Sequence, residues 1–291
     1  MKDKYKFYFI LCVELALWPL LWMADRIRRI ACHSSEPFRC RIPIEESNVL
    51  VGVHEWGGYR LDREKTIKHG ATFACGLRSQ LERFGGKNGI ELVVTISDAS
   101  RYEAMEYVRA RASKVIEVDN RGMDFSGFAT LYERYKDGPN RYVILTNSSV
   151  NAIQEEFLDV YIDYMEHNME VGMLGISYCT KMIQTLVRDN FTPHLQSFFL
   201  LTTIEVLREV VALNKGKFPG NGISHKLLLI RQGEIRLSQL VRKAGYRLAV
   251  VDPQNGIPYK FECYRKWGLP KGDIRQQINT PNRITPMKIV K

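Results

Sequence analysis

Polar side chains able to bind a ligand follow four of the predicted strands, at the point where each apolar run ends. These groups are the pair His54-Glu55, Asp98, the pair Asp119-Asn120 and the triplet Asn147-Ser148-Ser149. Ligands of open α/β sheets bind beyond the carboxyl ends of the strands, so these groups are expected to meet at one edge. The alternative is that Asp, Asn and Ser only begin turns or cap helices. For the set taken together, the pattern favours a binding site.

Glu234 is a carboxylate at the start of a late predicted helix. It lies where a predicted apolar strand at 227–230 gives way to an amphipathic helix. A partly desolvated carboxylate at such a position can accept the proton of a substrate hydroxyl group. The alternative is a structural role, in which Glu234 caps its own helix or pairs with Arg236 or Lys226.

Alternating strands and helices are predicted to position these residues. The predicted strands are 48–54, 90–98, 114–120, 141–149 and 171–177. The predicted helices are a stretch from Ile67 to Phe84, then 100–112, 126–136 and 151–168. Two later segments combine both types: 194–211 begins as a strand and continues as a helix, and 233–253 is a helix followed by a strand. This alternation indicates an α/β fold with a mainly parallel central sheet flanked by helices.

The composition excludes some classes of protein. Of the 291 residues, 45% are hydrophobic and 25% are charged, which is typical of a globular enzyme and not of a disordered chain. The net charge of +10 is spread along the chain, so it favours a membrane surface and a phosphate-bearing substrate over nucleic acid. No GxGxxG or Walker loop is present. The six cysteines form no CxxC pair and indicate free thiols, with a Cys32–Cys40 disulfide as the alternative.

The amino-terminal segment is apolar over residues 7–23 except for Glu14. Three placements fit residues 1–30: a spanning membrane anchor, a helix lying in the membrane interface, or a helix buried in the protein. Arg26, Arg28 and Arg29 follow the segment, which favours a membrane-associated protein with its catalytic domain on the cytoplasmic side. Residues 31–47 are predicted to be a connector, and residues 254–291, with four prolines, an irregular carboxy-terminal extension.

The order of several short motifs resembles the rhamnan-synthesis family. The motifs are DNRGMDFSGF (119–128), YVILTNSS (142–149), MLGIS (173–177), HLQSFFL (194–200) and a late helix of the pattern E…LS..L…GY. The similarity covers residues 48–253. The family comprises predicted glycosyltransferases of bacterial cell-wall and lipopolysaccharide assembly. The resemblance therefore implies a GT-A-like domain that moves a sugar from a nucleotide-sugar donor to a growing polysaccharide or a lipid-linked glycan, with inversion at the sugar carbon.

The resemblance to inverting GT-A enzymes also implies roles for particular residues. Asp98 would hold the nucleobase of the donor. Glu234 would act as the general base. The nucleotide-sugar site would consist of His54, Asp98, Asn120, Arg121, Gly122, Asp124, Asn147 and Ser148. The acceptor site would consist of His194, Gln196 and Ser197.

The metal site departs from the pattern of that class. Asn147 and Ser149 stand where the carboxylates of a DxD motif would bind Mn²⁺ or Mg²⁺, so the metal ligands are unknown and metal dependence is in doubt. Without a metal ion, Arg121 or the pair Arg231 and Arg236 would have to stabilise the diphosphate. The missing motif also favours an alternative function, a non-catalytic, membrane-tethered scaffold of a polysaccharide-synthesis complex.

Overall fold

The computed structural model describes residues 2–31, 38–67, 70–180, 193–261 and 269–288. The strands are β1 (Val49–Trp56), β2 (Arg63–Thr66), β3 (Thr72–Cys75), β4 (Ile90–Ser97), β5 (Lys114–Val118), β6 (Tyr142–Asn147), β7 (Val171–Gly175), β8 (Tyr178–Cys179), β9 (His194–Leu195), β10 (Phe199–Thr203), β11 (Arg247–Val251) and β12 (Pro258–Lys260). The α-helices are α1 (Lys2–Ala16), α2 (Trp18–Ala31), α3 (Leu77–Phe84), α4 (Met105–Arg109), α5 (Asp124–Tyr135), α6 (Leu158–His167), α7 (Ile204–Leu213), α8 (Lys226–Leu229) and α9 (Arg236–Lys243). Short 3₁₀ turns span Ala99–Arg101 and Ile274–Gln276, and a π-helix spans Ile230–Ile235.

The central sheet has eight strands in the order β12-β11-β7-β10-β6-β1-β4-β5. β1 pairs in parallel with both β4 and β6, β4 with β5, and β7 with β11. β10 runs antiparallel to β6 and β7, and β12 runs antiparallel to β11. The predicted α/β class, with a mainly parallel sheet flanked by helices and an amino-terminal helix, is therefore confirmed, and the sheet is consistent with the GT-A-like fold.

The sheet is covered on both faces, because successive side chains of a strand point in opposite directions. Leu50 packs in the core with α5, α7 and α9, whereas its neighbour Val51 packs in the core with α3 and α6. Both side chains are fully buried. This explains why β1, β4 and β6 are nearly continuous apolar runs, as is typical of a parallel sheet between two helix layers.

Four predicted elements differ from the structure, and one of them is the predicted helix at 151–168, which begins only at Leu158. The predicted helix from Ile67 to Phe84 begins only at Leu77, because 72–75 pairs with 63–66 as a hairpin. The predicted helix at 100–112 is reduced to a 3₁₀ turn and the short α4. The predicted strand at 227–230 is helical, with Leu228 and Leu229 buried and Leu227 exposed. A short apolar run does not by itself distinguish a strand from a buried helix.

The amino-terminal segment forms two helices that meet at an angle of 78°. Within the described residues, neither helix alone is long and apolar enough to cross a membrane, but the bent pair could do so by length and composition. α1 docks on the segment around α8. Phe7 packs against the His225 ring at a centroid distance of 5.2 Å, and the Glu14 carboxylate pairs with the Arg231 guanidinium.

The described part of the predicted connector, residues 38–47, packs against the domain. Arg41 is buried and donates from Nε to the Val171 carbonyl oxygen at 2.8 Å. The predicted extension contributes β12 to the sheet and buries Ile274 and Ile284. Residues 32–37, which include Cys32 of the alternative disulfide, and residues 262–268 and 289–291 lie outside the described residues.

Candidate active site

A cavity of about 590 Å³ lies beyond the carboxyl ends of β1 and β6. Its other walls are the β2–β3 hairpin, the start of α5, the start of β10, the π-helix and the 3₁₀ turn at 274–276. The predicted site residues that line it are His54, Asn120, Asp124, Asn147, Ser148, Ser149, His194, Gln196, Ser197 and Glu234. The structure thus brings together strand ends and the candidate base, which are far apart in the chain.

His54 is a buried residue at the floor of the cavity. Its Nδ1 lies 3.0 Å from Thr95 Oγ1, and its Nε2 lies 3.5 Å from Ser97 Oγ. Burial lowers the pKa of His54, while the nearby Asp124 carboxylate raises it, with burial the larger effect. The ring is therefore neutral at physiological pH and acts as a hydrogen-bonding group. Gly127 lets α5 approach it, because a Cβ there would lie 2.5 Å from His54 Nδ1.

Asp98 lies next to the cavity and does not line it. Its Oδ2 accepts hydrogen bonds from the Trp56 indole at 2.7 Å and from the Asn120 amide at 3.2 Å. Its backbone is left-handed, with φ of 53°, a conformation that Asp tolerates better than most residues. Asp98 therefore orients two side chains that line the cavity, Trp56 and Asn120.

Arg121 and Gly122 also lie outside the lining of the cavity. The Arg121 side chain is exposed and pairs with Asp119 at 2.7 Å. Gly122 has φ of 120°, which strains any other residue, and Met123 follows at φ of 48°. This sharp turn brings Met123 and Asp124 into the cavity at the start of α5.

Asp124 and Asn147 form one polar group at the end of β6. Asn147 Nδ2 donates to Asp124 Oδ2 at 2.6 Å, and Asn147 Oδ1 accepts from the Ser149 amide at 2.9 Å. Asp124 is the first residue of α5, where the helix dipole favours a negative charge. Asp124 does not cap the helix with its side chain, since the residue at the cap position is Met123.

Ser148 forms hydrogen bonds with both a carboxylate and a guanidinium. Its hydroxyl donates to Glu55 Oε1 at 2.8 Å and accepts from Arg63 Nη2 at 2.6 Å. Burial raises the pKa of Glu55 to about 7, against the opposing effect of Arg63. Glu55 Oε2 is buried and has no hydrogen-bond partner among the described residues. Glu55 is therefore partly protonated near neutral pH.

Glu234 lies on the opposite wall of the cavity, within the π-helix. Its Oε1 is 3.6 Å from His194 Nε2, and its Oε2 accepts from Ser197 Oγ at 3.3 Å. Burial raises the pKa of Glu234 to about 7, and the nearby Arg275 opposes this rise. π-Helical turns occur often at functional sites, and this one directs a carboxylate into the cavity. Glu234 makes no ion pair with Arg236 or Lys226 among the described contacts.

The acceptor-side residues form a second network. Gln196 accepts from Ser177 Oγ at 2.5 Å and donates to Asp273 Oδ1 at 3.2 Å. Asp273 also pairs with Arg275, with Nη2 and Oδ2 2.6 Å apart. Three residues of the predicted carboxy-terminal extension, Asp273, Arg275 and Gln276, thus line the cavity.

The two arginines suggested for the diphosphate do not line the cavity. Arg231 pairs with Glu14, and Arg236 donates from Nε to Asn214 Oδ1 at 3.3 Å. The cations that do line it are Arg63, Lys65, Lys226 and Arg275. Sequence reasoning missed Arg63 and Lys65 because it assigned no strand to residues 63–66 and placed a helix over part of its hairpin partner.

Within the described ranges, no group of three or more His, Cys, Asp or Glu side chains is arranged to hold a metal ion. The position of the DxD carboxylates holds the amide of Asn147 and the hydroxyls of Ser148 and Ser149. Mg²⁺ and Mn²⁺ prefer carboxylate oxygens, so these three residues do not fit a divalent ion.

Comparisons with known proteins found similarity only among solved structures. No protein-family model matches the chain, and no curated protein matches it. Among solved structures, the chain is similar to a mannosyltransferase from Pyrobaculum calidifontis in complex with GDP-Man and Mn²⁺. The sequence identity is 15% and the TM-score is 0.45, over 90% of this chain and 69% of that chain. Membership of the rhamnan-synthesis family stays a prediction.

Proposed function

We propose that the protein is a glycosyltransferase that moves a sugar from a nucleotide-sugar donor to a hydroxyl group of a glycan or lipid-linked acceptor, as in cell-surface polysaccharide synthesis. The observation that carries the proposal is Glu234. A largely buried carboxylate, its side chain 15% exposed and its pKa about 7, lines a cavity whose other wall is formed by the carboxyl ends of two parallel strands. This arrangement suits a general base that faces a bound donor.

The donor's nucleoside would bind near β1 and β4. Trp56 and Tyr59 line the cavity and pack edge to face, with ring centroids 4.9 Å apart. Their rings offer apolar surface to a base or ribose, and Asn120, held by Asp98, offers an amide. The sugar would lie between Asp124 and the π-helix, where the Asp124 carboxylate can accept hydrogen bonds from sugar hydroxyls.

The proposed reaction is a single in-line displacement. The acceptor hydroxyl gives its proton to the Glu234 carboxylate, and its oxygen forms the new bond to the anomeric carbon. The bond from that carbon to the diphosphate breaks, and its electron pair leaves with the diphosphate. Since the base and the leaving group lie on opposite sides of the sugar, the configuration of the anomeric carbon inverts. His194 and Ser197 hold the carboxylate in place for this transfer.

The replacement Glu234→Gln tests the base. It keeps the size of the side chain and removes the group that accepts the proton, so turnover should fall by roughly 100-fold or more. Binding of the donor and the melting temperature should change little. Turnover is measured by release of the nucleoside diphosphate from a panel of nucleotide sugars.

Glu209→Gln is the matched control for this replacement. Glu209 is a half-buried carboxylate of α7 whose pKa is raised by burial, and it pairs with Arg39 away from the cavity. Its replacement should leave turnover unchanged. Full activity in Glu234→Gln would rule out the base assignment.

The alternative function, a non-catalytic scaffold, is favoured by the absence of carboxylates at the DxD position. It predicts no release of nucleoside diphosphate by the unmodified chain from any donor of the panel. Turnover that is lost in Glu234→Gln and kept in Glu209→Gln would exclude it.

Association with a membrane surface forms part of the proposal. Side chains of α1 and α2 that are more than half exposed include Tyr5, Phe9, Leu20, Met23 and Ile27. A cluster of exposed aromatic and aliphatic side chains of this size is unusual on a monomeric protein and is typical of helices that lie in the membrane interface. A lipid-linked acceptor would reach the cavity from that surface.

A further inference from the structure

We propose that Arg63 and Lys65, two fixed cations of the β2–β3 hairpin, bind the diphosphate of the donor in the place that a divalent metal ion takes in DxD-containing transferases. This inference rests on the proposed function and adds to it the group that stabilises the leaving diphosphate. None of the sequence patterns pointed to these two residues.

The Arg63 guanidinium already occupies the position next to the missing carboxylates. Its Nη2 lies 2.6 Å from Ser148 Oγ and 3.4 Å from Ser149 Oγ. A divalent cation bound by these two hydroxyls would lie against a guanidinium, and the repulsion between like charges opposes such binding. The two serines therefore serve to orient a cation that belongs to the protein.

Arg63 has donor capacity left for a ligand. Its Nε is buried and makes no hydrogen bond within the described part of the chain. Its guanidinium carbon lies 3.9 Å from the centre of the Tyr59 ring, so the planar group is stacked and held in one orientation. A buried donor without an acceptor is costly, and a phosphate oxygen is the acceptor that a guanidinium binds best.

The positive charge of Arg63 is not cancelled by a close carboxylate. No ion pair within 4.0 Å is formed by Arg63 among the described residues, and the nearest acidic group in its network is Glu55, which it reaches through Ser148. Burial raises the pKa of Glu55 to about 7, so this carboxyl is partly neutral at physiological pH. A partly neutral Glu55 leaves the diphosphate attracted to Arg63 without strong repulsion from the neighbouring acid.

Lys65 adds a second cation on the same face of the hairpin. It is two residues from Arg63, so both side chains point to the same side of β2 and both line the cavity. Burial lowers the pKa of Lys65; Asp124 opposes this effect, and the charges of Arg63 and Arg275 add to it. A bound diphosphate carries two negative charges, which would offset the repulsion among Lys65, Arg63 and Arg275.

Backbone hydrogen bonds join the β2–β3 hairpin to the segment that follows β6. These bonds hold Arg63 and Lys65 in place. The Gly76 amide donates to the Ser148 carbonyl at 3.0 Å, and the Ala152 amide donates to the Ala74 carbonyl at 2.9 Å. Cations held rigidly before the reaction stabilise negative charge that develops on the leaving group without a cost of reorganisation. As the bond to the anomeric carbon breaks, the electron pair moves to the diphosphate oxygen, and Arg63 and Lys65 balance that charge.

The first test uses the unmodified full-length chain. Calorimetry measures binding of UDP, dTDP, GDP, ADP and CDP in EDTA and again with added Mn²⁺ or Mg²⁺, with the corresponding nucleosides as phosphate-free controls. We expect at least one diphosphate to bind in EDTA. Adding a metal ion should change the affinity by less than about threefold, which is smaller than the tenfold change that corresponds to ~1.4 kcal/mol. Binding that requires a metal ion would overturn the inference and leave the proposed function standing. Absence of diphosphate binding in every condition would overturn both.

The second test replaces the cations. Arg63→Gln should weaken diphosphate binding in EDTA by roughly 10- to 100-fold, as expected for loss of a charge-assisted hydrogen bond, and leave nucleoside binding unchanged. Arg63→Lys should retain part of the affinity, and Lys65→Gln should weaken it. The matched control is Arg78→Gln, which removes an exposed arginine that pairs with Asp62 outside the cavity. Equal diphosphate affinity in Arg63→Gln and Arg78→Gln, with melting temperatures close to that of the unmodified chain, would overturn the inference.

Discussion

Two buried glutamates with raised pKa values face the same cavity from opposite walls. Glu234 lies beside His194 and Ser197, and Glu55 lies beside Ser148. Both pKa values are about 7 because burial disfavours the charged form. Buried acids of this kind cost stability at neutral pH, and such costs are typical of functional sites. We infer that Glu234 accepts a proton, whereas Glu55 limits the negative charge next to the diphosphate.

The two raised pKa values lead to a prediction about stability and pH. In the unfolded chain these carboxyls have the ordinary value of 4.5. Between pH 4.5 and about 7 the folded chain therefore binds more protons than the unfolded chain, so the two groups' contribution to the free energy of unfolding falls as the pH rises. The double variant Glu55→Gln, Glu234→Gln should become more stable relative to the unmodified chain over this range.

The measurement is urea unfolding of both proteins at several pH values between 4 and 8. The difference between them removes the contributions of carboxyls with lowered pKa values, such as Asp119. A difference in unfolding free energy that stays constant over this range would contradict the raised pKa values.

At the scale of the element, α5 is placed by close contact with the sheet. Its Gly127 lies over β1 and β4, where a Cβ would come within 2.3 Å of Thr95 Oγ1 and 2.5 Å of His54 Nδ1. The same helix begins with Asp124, which binds Asn147. The distance of α5 from the sheet therefore sets the positions of His54, at the floor of the cavity, and of Asp124, in its wall.

The replacement Gly127→Ala tests this contact. Alanine favours a helix by about 1 kcal/mol relative to glycine, but the added methyl group has no space and should destabilise the protein by about 1–3 kcal/mol net. Chemical denaturation measures this change. Gly138→Ala is the control, since a Cβ there would meet only the Tyr135 carbonyl oxygen, at 3.3 Å. A Gly127→Ala variant as stable as the unmodified chain would show that α5 can shift freely.

At the scale of the whole molecule, the amino-terminal helix is attached beside the segment that carries Glu234. The Glu14–Arg231 pair joins positions 217 residues apart, and Arg231 is three residues from Glu234 in the π-helix. The opposite surface of the two helices is rich in exposed apolar side chains. The proposed binding to a membrane would therefore use side chains that docking to the domain leaves exposed.

Deletion of residues 2–31 separates these two roles. The truncated chain should no longer sediment with vesicles of phosphatidylcholine and phosphatidylglycerol. It should remain folded, with a melting temperature lowered by several degrees, because Arg231 loses the partner of a largely buried ion pair. Sedimentation and thermal unfolding measure the two effects. Aggregation or unfolding of the truncated chain would place the segment in the core and exclude the anchor.

Two point variants serve as controls for the deletion. Phe9→Asn with Leu20→Asn changes only exposed side chains, so vesicle binding should weaken and the melting temperature should stay the same. Arg231→Gln should lower the melting temperature and leave vesicle binding in place.

The sequence by itself determined the class of the fold and one wall of the cavity. Alternation of apolar strands with helices predicts a parallel sheet, and the carboxyl ends of such strands meet at one edge. His54, Asn120 and Asn147 were therefore predictable as neighbours from local pattern alone. The motif resemblance identified Glu234 as the candidate base. Glu234 lines the cavity, although the segment before it, 227–230, is a helix and not the predicted strand.

Only the tertiary structure decided the charges that face the ligand. Arg63 and Lys65 reach the cavity because 63–66 pairs with 72–75 and the hairpin then binds the end of β6. Asp273 and Arg275 come from a segment whose polar, proline-containing sequence predicts no regular element. Contacts between segments far apart in the chain depend on packing and on paired hydrogen bonds, which have no period in the sequence. Local pattern therefore predicted one wall of the cavity, and long-range packing decided which cations line it.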